Sequence, residues 1–323
     1  MNNAVKKIFR RSSRVAQLFS NRVGPTGRWD AVFTVGDFLA EHGRLPRSPS
    51  RDDSGIMDYF FWRKHQPWSD LESRCCDKGL AKRIAQDLAP EVKVPATVAT
   101  IPLIDVANGA QLRGYVAPFV GKKLVMKPAH SNGGVLFLDN PVTDWDRYLD
   151  YARRPFFPAA RERQYHGLTP NLIIEDALAT HSGEVPEDYK FFCFKGQPLL
   201  CQLDYDRFTD HKRQLYLLPE WKKIDVDYTY PSQDRPVVQP AMLDQAMAIC
   251  QALSRPFDFV RIDLYFLRGG IYFGEFTFTP DAGTKSFSNT AFDQALGEVV
   301  RSGKADHLRA FLSQPSARAA SVP

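Results

Sequence analysis

The chain holds 323 residues, 44% apolar and 24% charged, the composition of an ordinary soluble globular protein with room for two or three lobes. Its formal charge of +5 is uneven: Lys6, Lys7, Arg10, Arg11 and Arg14 lie in an acid-free stretch, leaving 37 basic and 37 acidic residues elsewhere. That balance excludes the broad basic face of a nucleic-acid binder, and no run of about eighteen apolar residues exists to cross a membrane.

The basic N-terminal stretch carries Val5, Ile8, Phe9, Val15, Leu18 and Phe19 among its cations. Two readings stay open there: a short amphipathic helix on an anionic membrane surface, or a loosely docked tail. It lacks a continuous apolar segment of signal-peptide length. Residues 30–43, 54–64 and 76–89 repeat apolar positions every three or four residues and predict helices, the third capped by Asp77. A Pro- and Val-rich stretch, 92–103, predicts a strand. Strands follow at 122–128, 134–138, 171–176, 188–194, 198–206 and 213–218, and helices at 145–164, 241–253 and 307–312. Hairpins outnumber βαβ alternations, which predicts an α+β fold with antiparallel sheets. Cys75, Cys76, Cys193, Cys201 and Cys250 show no metal or redox spacing and read as buried reduced thiols of a cytoplasmic protein.

Near the C-terminus, two strand-like runs, 259–267 and 271–279, flank Arg268, Gly269 and Gly270. Glycines supply the positive φ that a tight hairpin needs. A three-residue loop pairs Leu267 with Ile271, and therefore Asp263 with Glu275 and Arg261 with Thr277. That register puts Arg261, Asp263, Tyr265, Phe273, Glu275 and Thr277 on one face and Val260, Ile262, Leu264, Phe266, Tyr272, Phe276 and Phe278 on the other. Opposed carboxylates repel; a hard divalent cation bound to nucleotide phosphates would neutralise them, and so would Arg261 acting as a purely structural partner.

Neither a GxxxxGK[ST] loop nor a GxGxxG fingerprint occurs. Lys127, however, ends a strand before His130, Ser131, Asn132, Gly133 and Gly134, a loop whose backbone N–H groups can approach phosphate oxygens. A solvated lysine in a plain hairpin turn is the plainer alternative. Glu175, Asp176 and Leu178 close another strand, suited to edge an adenine ring or simply to face water. Asp188 and Lys190 alternate onto one strand face beside Phe192, as a surface ion pair or as site residues.

Taken together, Lys127 with its glycine loop, Glu175 to Leu178, Asp188 to Phe192, Asp206-Arg207, Arg261-Ile262-Asp263 and Gly274 to Phe278 resemble the ATP-grasp superfamily. Within it they are most similar to the TupA-like branch, named for teichuronopeptide biosynthesis in bacteria. Cys76-Asp77-Lys78 with its following helix and Val-Pro strand adds to the likeness, which spans residues 75–298. The resemblance implies two α+β lobes with antiparallel sheets clasping ATP: a basic segment (1–25), a mostly helical region (26–105), a small lobe (106–182), a C-terminal lobe (183–312) and a tail (313–323).

It further implies that Lys127, Ser131, Asn132, Gly133, Gly134, Glu175, Asp176, Leu178, Asp188 and Lys190 bind ATP. Asp263, Glu275 and Thr277 would hold Mg2+, as two ions, although many ATP-grasp enzymes have Asn where Thr277 stands. Arg261, Lys190 and Arg207 would serve catalysis, with Arg207 and Lys285 available to an anionic acceptor. His130 and His211 read as solvated loop histidines or as aids to amine deprotonation. The implied activity is an ATP- and Mg2+-dependent carboxylate–amine ligase of bacterial surface-polysaccharide assembly, cytoplasmic or peripheral at the inner membrane face. A sugar kinase, or a non-catalytic nucleotide-binding partner of a glycosyltransferase complex, remains open beside it.

Overall fold

Caps and breakers written into the sequence set the helices of the first ninety residues. In this computed structural model, which describes residues 23–140, 144–180, 185–205, 211–232 and 237–313, α1 (Arg28–His42) stops at Gly43, whose left-handed φ of 67° lets its N–H close on Leu39. The first turn of α2 (Ile56–Arg63) is capped by Asp58, which accepts from Gly55 N at 3.0 Å. A short α3 (Asp70–Cys75), absent from the sequence expectation, begins with a Ser69/Glu72 capping box. Asp77 starts α4 (Lys78–Leu88) as expected, accepting from Gly79 N and Leu80 N.

The chain then builds a sheet. β1 (Thr97–Pro102) lies before residue 106, where the sequence division begins the small lobe. After α5 (Gly109–Val116), which the sequence reading passed over, come β2 (Leu124–Pro128) and a two-residue β3 (Leu136–Phe137). The helix expected over 145–164 breaks into α6 (Trp145–Ala152) and α7 (Phe157–Ala160). Pro155 accounts for the break, because the residue before a proline is pushed out of the helical region. β4 (Asn171–Asp176) completes the antiparallel order β1-β4-β2-β3. Leu172, Ile174, Leu124 and Met126 face α5 and α6 in one core, leaving Lys127, Ile173 and Glu175 on the opposite, inner face.

A second antiparallel sheet follows: β5 (Asp188–Phe194), β6 (Gln197–Tyr205), β7 (Lys212–Leu217), β8 (Lys222–Ile224), then α8 (Leu243–Ser254), β9 (Phe259–Leu267) and β10 (Gly270–Thr277), in the order β10-β9-β5-β6-β7-β8. Helices α9 (Thr290–Ser302), unanticipated, and α10 (Asp306–Ser313) end the described chain. Phe191, Cys193, Cys201, Leu203, Ile262 and Leu264 pack one sheet face against α4 and α8. Phe192, Phe194, Leu200, Leu215 and Phe259 pack half of the other face against α2 and α9. Each such side chain contributes about 1.5–3 kcal/mol on burial. The remaining half of that face carries charge. All five cysteines are free and buried.

Candidate active site

The hairpin β9–β10 reaches the expected pairing by a different path. Its turn is two residues, not three: Gly270 pairs with Leu267 and Phe273 with Leu264. A bulge at Gly274 then inserts one residue, so Asp263 faces Glu275 and Arg261 faces Thr277 after all. The correction falls on the tip. Phe273, expected on the charged face, is 1% exposed in the apolar core, and Tyr272 takes the other side beside Tyr265. Glycine fits the bulge because a Cβ there would meet Asp263 O at 3.0 Å and Tyr265 Cε2 at 2.9 Å.

Across the sheet, strand pairing lines up Glu275, Asp263, Lys190 and Gln202 in one row, with Thr277, Arg261 and Asp188 beside it. The two acids do not confront each other unscreened. Arg261 donates to both Asp263 oxygens at 2.7 and 2.8 Å, and to Glu275 Oε1 and Thr277 Oγ1 at 3.0 Å each. Lys190 donates to Asp263 at 2.7 Å and pairs with Asp188. Burial alone would lower Lys190's pKa, but Asp263 and Asp188 outweigh it and raise it. Glu275 differs from Asp263 in access: its side chain keeps 33% exposure against 4%. Burial opposes its ionisation, yet Lys78, Arg261 and Lys190 draw its pKa down to about 2.

Among the described residues no cluster of three or more His, Cys, Asp or Glu is poised for a metal. The donor chemistry nevertheless fits a hard cation: two carboxylates and a hydroxyl share one face, and Glu275 is open to the cleft.

On the small sheet, Glu175 is buried and pairs with Lys127 and with Lys82. Asp176 is exposed and Leu178 half-buried beyond it. The glycine loop is held in place. Ser131 O accepts from Lys78 Nζ, Asn132 O from Tyr151 Oη at 2.9 Å, and Gly134 O from Tyr148 Oη at 2.8 Å. Gly133 and Gly134 have φ of 76° and 66°, and a Cβ at either would strike Tyr151. Thus Lys78 and Lys82, one helical turn apart on α4, bring two cations to the cleft that the sequence reading did not assign. The quoted Asp77-Lys78 pair was the available signal; nothing in the sequence said which way α4's charged stripe faces.

Of the two loop histidines, His130 is buried and His211 is half-buried. His130 is 1% exposed, and burial lowers its pKa; His211 stacks on Tyr230 at 3.7 Å and lies 3.4 Å from Asp204. Lys285 is half-buried after β10. Asp206 and Arg207 lie outside the described residues, as does the basic stretch of residues 1–22.

Behind β10 the backbone turns through three consecutive left-handed residues, Asp281, Ala282 and Gly283, at φ 49°, 55° and 63°. Buried Lys64 donates to Ala282 O at 2.9 Å, and burial lowers its pKa to about 8. Thr279 donates to Glu162, whose pKa burial raises to about 7. Gly283 sits where a Cβ would lie 2.8 Å from Phe60 Cβ. Gly283→Ala is therefore expected to cost about 2–4 kcal/mol of stability, read by chemical denaturation, from left-handed backbone and overpacking together.

A model of the TupA-like ATPgrasp family matches residues 60–301 of the chain. No curated protein sequence matches it. Among solved structures, the chain is similar to D-alanine–D-alanine ligase from Bacillus anthracis complexed with ATP (17% identity, TM-score 0.36), covering 65% of this chain and 56% of that one. It is also similar to phosphoribosylamine–glycine ligase from Thermotoga maritima (16%, TM-score 0.40, 73% and 57%). VanG D-Ala:D-Ser ligase from Enterococcus faecalis gives 14%, TM-score 0.36, 64% and 52%. The chain thus spans little more than half the length of these three proteins.

Proposed function

Because the chain belongs to the TupA-like ATP-grasp family, we propose that it uses ATP to join a carboxylate to an amine. The observation that carries this reading is the charged row Glu275–Asp263–Lys190, threaded by Arg261, on one face of the large sheet. Lys127, Lys78 and the pinned glycine loop add positive groups and backbone donors of the kind that hold phosphates. Glu175 and Leu178 would border the adenine, with Asp176 at its edge, and Asp188 would reach the ribose.

Asp263 and Glu275 would hold Mg2+, with Thr277 as a neutral ligand. Bound there, the ion would offset the charge of the phosphate oxygens. Arg261 and Lys190 would face the transferring phosphoryl group from a buried, fixed position, where preorganised charge counts most. A substrate carboxylate oxygen attacks the γ-phosphorus and ADP departs. The amine then attacks the acyl carbon of the resulting acyl phosphate, inorganic phosphate leaves, and the nitrogen gives up a proton. No protein nucleophile is needed; positioning and charge do the catalysis. His211, beside Asp204, is a candidate to receive that proton.

The family's naming for teichuronopeptide biosynthesis supports a saccharide-borne carboxylate, such as a uronic acid, and an amino acid or amino sugar as the amine, in a bacterial cytoplasm. The five-part division of the chain drawn above belongs to the same reading. Hydroxylamine tests it. With ATP, Mg2+ and a panel of sugar acids, a trapped hydroxamate forming in step with ADP is expected. ADP release that ignores every carboxylate, with a product stable to hydroxylamine, would instead mark a kinase.

A further inference from the structure

Helix α4 divides its surface in an unusual way. Ala81, Ile84 and Ala85 enter the core beneath the large sheet. The opposite stripe, Lys82, Arg83 and Gln86, faces the inner side of the small sheet across a pocket of about 690 Å³. At its start the helix touches that sheet, since a Cβ on Gly79 would lie 3.9 Å from Ile173 Cγ2. The gap opens beyond that point. Its far wall sets Thr97, Thr100 and Asn171 among the apolar Pro95, Ala96 and Ile173. A helix seated on a sheet normally closes an apolar seam by direct packing; here the seam stays open, and apolar Leu80, Val94, Leu168 and Ile173 together with these polar groups enclose a volume within the range of small-molecule sites, whose walls are largely apolar with a few polar groups.

The lining states what it would take. Asp77, the acid at the rim, is spent on capping α4. Among the described residues Arg83 has no ion-pair partner, and it is exposed. Threonine hydroxyls and the amides of Asn171 and Gln86 complement hydroxyl groups. Lys82, with its side chain 8% exposed, donates to Pro95 O at 2.9 Å and Thr97 Oγ1 at 2.8 Å on the pocket wall. It also pairs with Glu175, whose second partner is Lys127.

We propose that this pocket is a second ligand site for a polyhydroxylated anion, coupled to the nucleotide cleft through Lys82 and Glu175. An anion beside Lys82 competes with Glu175 for it, and Glu175 in turn shares Lys127. The effect on nucleotide affinity must be matched by an equal effect of nucleotide on the anion. Only this coupling rests on the reading of the cleft given above.

Calorimetric titration of the full chain tests it, using gluconate and glucose 6-phosphate as the two sources of such an anion, and glucose and sulfate as its separate halves. At least one of the first pair is expected to bind tenfold or more tighter than either half, a margin of about 1.4 kcal/mol; which one does so tells carboxylate from phosphate. Arg83→Glu should weaken that binding about tenfold or more. Thr100→Trp, which fills the pocket from an exposed position, should remove it, with unchanged thermal melting confirming that both variants fold. Saturating anion should move the dissociation constant of a non-hydrolysable ATP analogue about fivefold or more. Absence of binding by all four probes, equal binding by all, or wild-type affinity in both variants overturns the site. An unmoved analogue constant overturns the coupling. If the analogue itself does not bind, the cleft assignment fails instead, and the anion titration stands by its own result.

Discussion

Glu275→Gln is expected to abolish turnover while costing only about 1 kcal/mol of stability, whereas Asp263→Asn is expected to lose activity and fold together. The two acids face each other but live in different surroundings. Glu275's low pKa, about 2, taken alone argues for a larger stability loss on neutralisation. Its side chain, however, is one-third exposed, and water screens an ion pair held there to about 1 kcal/mol or less. Asp263 is enclosed, with both oxygens committed to Arg261 and one also to Lys190. Burial raises Asp263's own pKa to about 6, which offsets part of the loss; removing its charge nevertheless leaves Arg261 and Lys190, both buried, short of an anion, which costs about 3–5 kcal/mol. Thermal melting separates the cases: a drop on the order of 10 °C for Asp263→Asn, and little for Glu275→Gln. Repulsion between two opposed carboxylates, taken alone, would let either substitution spare the fold. Arg261's bridging position removes that argument for Asp263. Equal losses in both variants, or measurable turnover in Glu275→Gln, would reject the division of roles.

The second large effect lies far from the charged row. Arg161, left-handed at φ 55° and fully buried, donates to Asp30 through Nε at 3.0 Å and to the carbonyls of Val23 and Gly24 at 2.8 and 2.7 Å. Its guanidinium lies 4.3 Å from the Phe157 ring centroid. Through it, α1 and the chain leading into α1 are tied to the segment between α6 and β4. Arg161→Leu strands Asp30 in the interior with, among the described residues, only Thr26 bonded to its carboxylate, and is expected to cost about 3–5 kcal/mol. Pairing it with Asp30→Leu should recover most of that, since two apolar residues need no partner. A single variant that melts like the wild type would show that the pair contributes nothing.

How far the sequence could be read depended on range. β4 and β5 matched their expected limits because alternation and flanking turns are local signals. The Asp263–Glu275 pairing was right for an incomplete reason: a turn shorter by one residue and a bulge longer by one cancel at Gly274. Gly274 itself was visible, but its bulge depends on Tyr265 and Asp263 pressing from the next strand. Lys78 and Lys82 stayed hidden because the period of α4 reveals its apolar stripe without revealing what the charged stripe meets. The partnership of Glu175 with two lysines, on two different elements, is likewise a tertiary fact. Helix α9, by contrast, was legible and passed over, with Asn289 capping its start and Gly303 its end.

The two phenols of α6 that grip the loop after β2 bear on how a ligand gets in. Lifting that loop by itself would break both tethers, about 1 kcal/mol each, and unseat the buried ring of Tyr148. Swinging loop, helix and small sheet as one plate keeps both tethers but parts Ser131, Ala129 and Glu175 from the lysines of α4. The loop is thus braced from two sides, and neither path to admission is free of broken bonds.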